Sequence, residues 1–312
     1  LAQGHEVHLP VVVGLANIEV VGRHPLDDTT ILCGREPELH TLATFVASGL
    51  RAPTAFLLLR QPFRLLERGE QATTKDRNGR GVLDRLAPEI ARYRERLTSK
   101  IDHVRLALLL GNDYPDLAAP VAVSEVVVEP FDTLLTGSSL APQYSPLPEV
   151  TLNETMVQEA SVWLAHVQQA PEAHVKAVQF GISRFLSAAT SRQDARDGFV
   201  DAVICWDSLL GTVQGEVAFR ITAALAWLVA PDDREERQQA FKDAKELYRR
   251  RSRIVHGSTK QPPAHEATAD RDKALHICQV ALRELFQRPA LLASQNRAED
   301  IVLDFLDDRH GS

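Results

Sequence analysis

The sequence predicts an α+β chain in two parts: a smaller mixed α/β domain over residues 1–136 and an all-α helical bundle over 151–312. Three observations carry this. Short runs rich in Val and Ile recur as far as Glu129 and then stop. Beyond about residue 151, apolar residues return at helical spacing, one segment after another. Between the two lies 137–150, a Ser- and Pro-rich stretch (Gly137-Ser138-Ser139, Pro142, Pro146, Pro148) that reads as a linker and sets the boundary.

In the first part, strands are expected at Val11–Val13, Ile18–Val21, Thr30–Cys33, Ala55–Leu59 and Val121–Glu129. Residues 37–45 suit a short helix, and 73–81 a polar loop. Val82, Leu83, Leu86, Ile90, Tyr93 and Leu97 keep helical spacing. Ile101–Leu110 either continues that helix or forms a buried strand, and periodicity does not decide. No motif in this part attaches to chemistry, and its fold stays open. We expect it to sense or regulate, with a ligand or partner of its own.

In the second part, helices are expected over 154–169, from Pro171 to about Thr190, and over 198–210, 216–230, 232–256, 267–286 and 298–306. The segment 216–230 is apolar nearly all round, which predicts the helix at the centre of the bundle. Pro231-Asp232-Asp233 ends it and caps the next helix, with acidic residues where the helix dipole favours them. Gly257 suits the left-handed position that closes that helix.

Composition narrows the classes. The 312 residues are 44% hydrophobic and 25% charged, as in ordinary soluble proteins. No apolar run approaches the roughly 18 residues of a membrane span. The net charge of −7 argues against a protein that grips long duplex DNA. It does not argue against an enzyme that needs positive charge around a single phosphate. Cys33, Cys205 and Cys278 are odd in number and far apart, which predicts a reducing, cytoplasmic setting without a disulfide framework. The histidines show no ligand spacing, so neither metal nor cofactor is expected. Leu1–His5 carries neither an initiator Met nor a secretory pattern, and we read it as a trimmed start.

The helix over 232–256 carries the most informative residues. Its apolar stripe is Ala240, Phe241, Ala244, Leu247, Tyr248, Ile254 and Val255. With Arg251 at zero on a helical wheel, Leu247 and Val255 fall at about −40° and +40°, and Ala244 at about +20°. Arg251 thus stands where a core Leu belongs, whereas Arg249 and Arg253 point away and Arg250 lies at the edge; those three read as solvated. A guanidinium on a buried face needs a counter-charge or a polar cavity. A salt bridge to Glu216 or Asp207 is one solution, and a ligand cavity is the other. His256 ends the helix, where the dipole favours a protonated imidazole. It is either a cap or a group that exchanges protons. Lys242–Arg253 holds six basic residues against Asp243 and Glu246, either a solvated face or a guide for a polyanion.

The run Arg251-Ser252-Arg253-Ile254-Val255-His256 resembles the R-x(4-6)-H signature of the HEPN superfamily (higher eukaryotes and prokaryotes nucleotide-binding domain). The order around it is similar to the Apea-like branch found in bacterial defence proteins: Asp201–Leu210, then Gly215–Ile221, an acidic turn, Leu247-Tyr248, Arg251-Ser252 and Ile254–Gly257. His256 is followed by Gly257-Ser258, unlike the Tyr-bearing toxin variant paired with nucleotidyltransferases. The likeness covers roughly residues 155–290. It implies a HEPN helical bundle that dimerises around a composite cleft and cuts RNA, tRNA among the candidates, without a metal. Arg251 and His256 would be catalytic, with Ser252, Glu216 and Arg220 in support. Arg249, Arg250, Arg253 and Lys245 would guide RNA. Glu216 and Arg220, four apart on one helix, form an internal ion pair in the plainer reading; in the other, Glu216 orients Arg251. The alternative function is a non-catalytic HEPN module that binds a nucleotide or a protein and dimerises.

Overall fold

In the computed structural model, the Val- and Leu-rich runs of the first part become strands and the periodic segments of the second become helices. The structure describes residues 6–36, 39, 53–64, 80–113, 118–127, 149–211, 217–257 and 262–307. The chain divides into two compact units. One is Leu1–Arg105, Pro120–Pro142 and Glu149–Ser161; the other is Leu106–Ala119, Gln143–Pro148 and Val162–Ser312. Of the expected short helix over 37–45, only Leu39 is among the described residues; of the expected linker over 137–150, residues 137–148 lie outside them and Val150 instead opens a strand.

The strands are β1 (Glu6–Ala16), β2 (Ile18–Val20), β3 (Arg23–Asp27), β4 (Thr30–Cys33), β5 (Ala55–Arg64), β6 (Val121–Val127) and β7 (Val150–Leu152). Among the described residues, an antiparallel sheet runs in the order β3-β4-β5-β1-β6, while β2 and β7 pair in parallel. Successive strand residues face opposite sides. Val11 to Ala16 are all buried, so both faces of β1 are covered there. Val12, Cys33 and Phe56 form one apolar cluster, and burial pushes the Cys33 thiol up to about 11. Gly34 is required by a close approach: a Cβ there would lie 2.1 Å from the Val20 carbonyl oxygen.

Residues 82–98 and 101–110 belong to one helix, α1 (Arg80–Leu110). Tyr93, Leu97, Ile101, Val104 and Leu108 continue a single buried stripe, which decides the ambiguity in favour of helix. Tyr93 meets Phe63 of β5 edge-on at 5.7 Å.

The helical region comprises α2 (Glu154–Gln169), α3 (Glu172–Leu186), a π turn (Ser187–Ser191), α4 (Ala195–Leu210), α5 (Val217–Val229), α6 (Arg234–Val255), α7 (Ala264–Gln287), α8 (Pro289–Ala293) and α9 (Arg297–Asp307). The helix at the centre is α4, not α5 as the composition suggested. Along α4, Phe199, Ala202, Val203, Cys205, Trp206, Leu209 and Leu210 are all buried, and Trp206 Nε1 donates to the Ala274 carbonyl of α7 at 3.3 Å. By contrast, α5 leaves Phe219 56% exposed. Cys205 and Cys278 meet between α4 and α7. Burial first, and the neighbouring thiol second, push the Cys205 thiol well up.

Two polar networks fix the ends of these helices. Asp201 of α4, with its side chain 4% exposed, accepts from Arg184 Nη1 at 2.9 Å, Arg192 Nε at 2.6 Å and Ser187 Oγ at 3.1 Å. It thereby ties the end of α3 and the π turn to α4. On α7, Gln279 donates to the Leu109 carbonyl at 2.7 Å and Arg283 to the Leu110 carbonyl at 2.8 Å. They satisfy carbonyls that the C-terminus of α1 leaves without helical partners.

Candidate active site on the last turn of α6

The start of α6 follows the sequence. Asp233 caps it, its Oδ1 accepting from the backbone N–H of Glu235 at 2.7 Å and of Glu236 at 2.9 Å. At the other end, His256 is the C-cap residue, its N–H donating to the Ser252 carbonyl at 3.0 Å. Gly257 takes the left-handed conformation at φ 69°. Ala244 and Leu247 are the residues α6 buries. The apolar stripe was expected to run on to Val255, but Val255 is 51% exposed. Full burial therefore ends at Leu247, and Arg251 and Ile254 beyond it are half-buried.

Arg251 is half-buried. Its side chain keeps 23% of its area exposed, and its Nη2 lies 3.8 Å from Oδ2 of Asp207. That is an ion pair without a hydrogen bond. Its Nε is enclosed and, among the described residues, has no hydrogen-bond partner. Asp207 belongs to α4. Its other oxygen, Oδ1, accepts from the Tyr248 hydroxyl at 2.7 Å. Burial pushes the Asp207 carboxyl up, against the opposing pull of the Tyr248 hydrogen bond and the Arg251 charge. Burial, and then Asp207, push the Tyr248 phenol up as well. Asp207 was one of two partners open to Arg251 in the sequence. The other, Glu216, lies outside the described residues.

His256 is exposed, and among the described residues its imidazole makes no hydrogen bond or ion pair. Ser252, between the two, is half-buried. The C-terminal end of α6 thus carries an exposed imidazole and, five residues before it, a partly enclosed guanidinium.

The other arginines are less free than a solvated face implies. Arg249 and Arg253 are exposed, yet both reach Glu246, at 3.5 and 3.2 Å. Arg250 is corrected outright. It forms a two-point pair with Asp270 of α7 at 2.8 and 3.0 Å and also touches Glu246 at 3.3 Å. It holds α6 to α7, with Nε on Glu246 and Nη1 on Asp270. Lys245 remains exposed, its Nζ 5.8 Å from the centre of the Phe241 ring. Arg220 points to Glu299 of α9 at 3.8 Å.

Sequence reading named Tyr248 only as part of the apolar stripe. Its spacing of three from Arg251 was the available signal that the two share a partner. Among the described residues, no group of three or more His, Cys, Asp or Glu is placed to hold a metal ion, and no helix is long and apolar enough to cross a membrane. No family model, curated protein or solved structure matches the chain.

Proposed function

We propose that the chain is a metal-independent endoribonuclease of the HEPN type, an effector of antiviral defence or of a toxin system. What supports the reading is one observation. The C-terminal end of α6 offers an imidazole open to solvent, His256, and, five residues before it, a partly enclosed cation with an unused donor, Arg251. That pairing is what transesterification of RNA needs. The ribose 2′-oxygen attacks the adjacent phosphorus and the bond to the 5′-oxygen breaks. A 2′,3′-cyclic phosphate and a 5′-hydroxyl result. His256 takes the proton from the 2′-hydroxyl or supplies one to the leaving 5′-oxygen. Arg251 stabilises the charge that builds on the phosphorane oxygens. Two copies of the chain would supply two such helix ends to one cleft, one imidazole as base and the other as acid.

The test is cleavage of total RNA in EDTA by the parent, His256→Ala and Arg251→Ala, with end-group analysis of the products. The parent should give cyclic phosphate ends, and each substitution should lower the rate at least about a hundredfold, the scale of general acid–base and oxyanion contributions. Equal activity in all three sinks the proposal, as does an inactive parent under every activating condition tried.

A second reading rests on the Asp207–Arg251 ion pair within one chain. In it, Arg251 braces α4 against α6, His256 caps the helix, and the domain binds a nucleotide or a protein as a dimerisation module. Under that reading the parent binds without cutting, and Arg251→Ala loses stability.

A further inference from the structure

The same helix contains two arginine–carboxylate pairs of opposite character. Arg250 and Asp270 are closed on each other, with two hydrogen bonds of 2.8 and 3.0 Å. Arg251 and Asp207 face each other at 3.8 Å, with no hydrogen bond between them. Asp207 is not short of reach for want of a flexible stem on its partner, since arginine is among the longest side chains. It is held elsewhere, by the Tyr248 hydroxyl at 2.7 Å. Tyr248 and Arg251 are three apart on α6, so one carboxylate from α4 serves both.

We propose that Tyr248 tethers Asp207 just out of hydrogen-bonding range of Arg251, so that the guanidinium is charge-balanced yet keeps its donors for an incoming phosphate oxygen. Both residues act through Arg251 and are positioning residues. The arrangement resolves a conflict that burial creates. A half-buried guanidinium without any counter-charge is costly, while one closed on a carboxylate has the donors on that side occupied and its charge neutralised at close range. A carboxylate at an intermediate distance, anchored by a neutral donor, lowers the first cost without incurring the second. The enclosed Nε, without a hydrogen-bond partner among the described residues, fits this account. The ligand class is a phosphate or sulfate oxyanion. That the anion is an RNA phosphate rests on the endoribonuclease reading.

The two carboxylate-side substitutions then have opposite signs. Asp207→Asn keeps an acceptor for Tyr248 and removes the competing charge. Tyr248→Phe releases Asp207 to close on Arg251. The experiment is a titration with inorganic sulfate, followed through the side-chain 15N signals of Arg251 in the full chain. Asp207→Asn should bind sulfate about tenfold more tightly than the parent, and Tyr248→Phe about fivefold more weakly. Without sulfate, Tyr248→Phe should slow rotation of the guanidinium and resolve its two Nη signals, which the parent averages. The double variant should match Asp207→Asn, because Tyr248 has nothing to tether once the charge is gone. A Tyr248→Phe variant that binds sulfate like the parent overturns the proposal. So does a double variant in which the two effects simply add.

A second probe is a single-stranded 2′-O-methyl oligoribonucleotide, which presents phosphates but cannot be cleaved. The same order of affinities with this probe extends the proposal to RNA. If sulfate follows the expected order but the parent binds no RNA, the endoribonuclease reading falls and the tether stands.

Discussion

Removing the Asp201 carboxylate should cost less stability than removing the two arginines that hold it. The side chain is 4% exposed, whereas Arg184 and Arg192 are 32% and 39% exposed. In Asp201→Ala, three donors lose their acceptor. A hydrogen bond to a charged group contributes about 1.5–3 kcal/mol, but the two guanidiniums recover water, which brings each nearer 1 kcal/mol. With a similar amount for Ser187, the loss is about 3 kcal/mol, or roughly 6–12 °C in Tm for a domain of this size. Removing both arginines is different. It strands a charge that the fold has enclosed, which costs about 3–5 kcal/mol. Arg184→Ala/Arg192→Ala should therefore melt below Asp201→Ala. Adding Asp201→Asn to the double variant should restore part of the loss. That third substitution isolates the stranded charge from the packing of Arg184 over the Phe180 ring. The assay is thermal melting by circular dichroism at low ionic strength. A double arginine variant that melts above Asp201→Ala refutes the reasoning, because the carboxylate would then not depend on its partners.

Five further substitutions test the neighbourhood of α6. Burial holds the Asp207 carboxyl above its usual range, so folding disfavours its charged form. That penalty is absent below the unfolded-chain value of about 4 and grows as pH rises from there through the folded value. The parent should accordingly lose stability relative to Asp207→Asn as pH rises from about 4, whatever the offset left by removing the counter-charge of Arg251; a difference between the two that does not change with pH contradicts the assignment. Arg250→Ala should lose about 1–2 kcal/mol, because Asp270 with its side chain 11% exposed keeps no closed partner, while Arg249→Ala and Arg253→Ala stay within about 0.5 kcal/mol on urea titration. Gly257→Ala should cost about 1 kcal/mol through backbone conformation alone, since its φ is 69° and a Cβ would meet nothing within 4 Å; a neutral result would mean the turn is remade around His256.

What the sequence revealed of the fold follows from which forces are local. The strands at Val11–Val13, Ile18–Val20, Thr30–Cys33, Ala55–Leu59 and Val121–Val127 declare themselves because β-branched and Leu-rich runs suit a pleated, half-buried surface. β3 was missed because its sequence, Arg-His-Pro-Leu-Asp, lacks that mark. It lies at the end of the sheet order, where charges and proline are tolerated. β7 was missed because its three residues have no local pattern and exist as a strand only through pairing with β2. The misplaced centre of the bundle has a different cause. Composition says how apolar a helix is and not how many neighbours surround it. α4 carries three Asp residues and is still the most enclosed, because Asp197 is exposed, Asp201 is fully paired and Asp207 meets Tyr248 and Arg251.

The candidate site divides along the same line. Helical geometry alone separated Arg251 from the three arginines beside it, because the direction of a side chain on a helix is a local property. It also extended the apolar stripe to Val255, since a wheel assumes that a neighbouring helix covers the whole face. The contacts of Glu246 with Arg249, Arg250 and Arg253 were readable too, at spacings of three, four and seven. Counting charges without pairing them made the segment look more cationic than it is. Asp270 was not readable, because it comes from another helix. Asp207 was readable as a candidate, but its distance was not, and the distance is what matters. At 2.8 Å a carboxylate would make Arg251 a brace like Arg250; at 3.8 Å, with Tyr248 holding its other oxygen, it leaves the guanidinium a donor short of satisfied. One ångström at a position set by a third residue separates a structural arginine from one prepared for an anion.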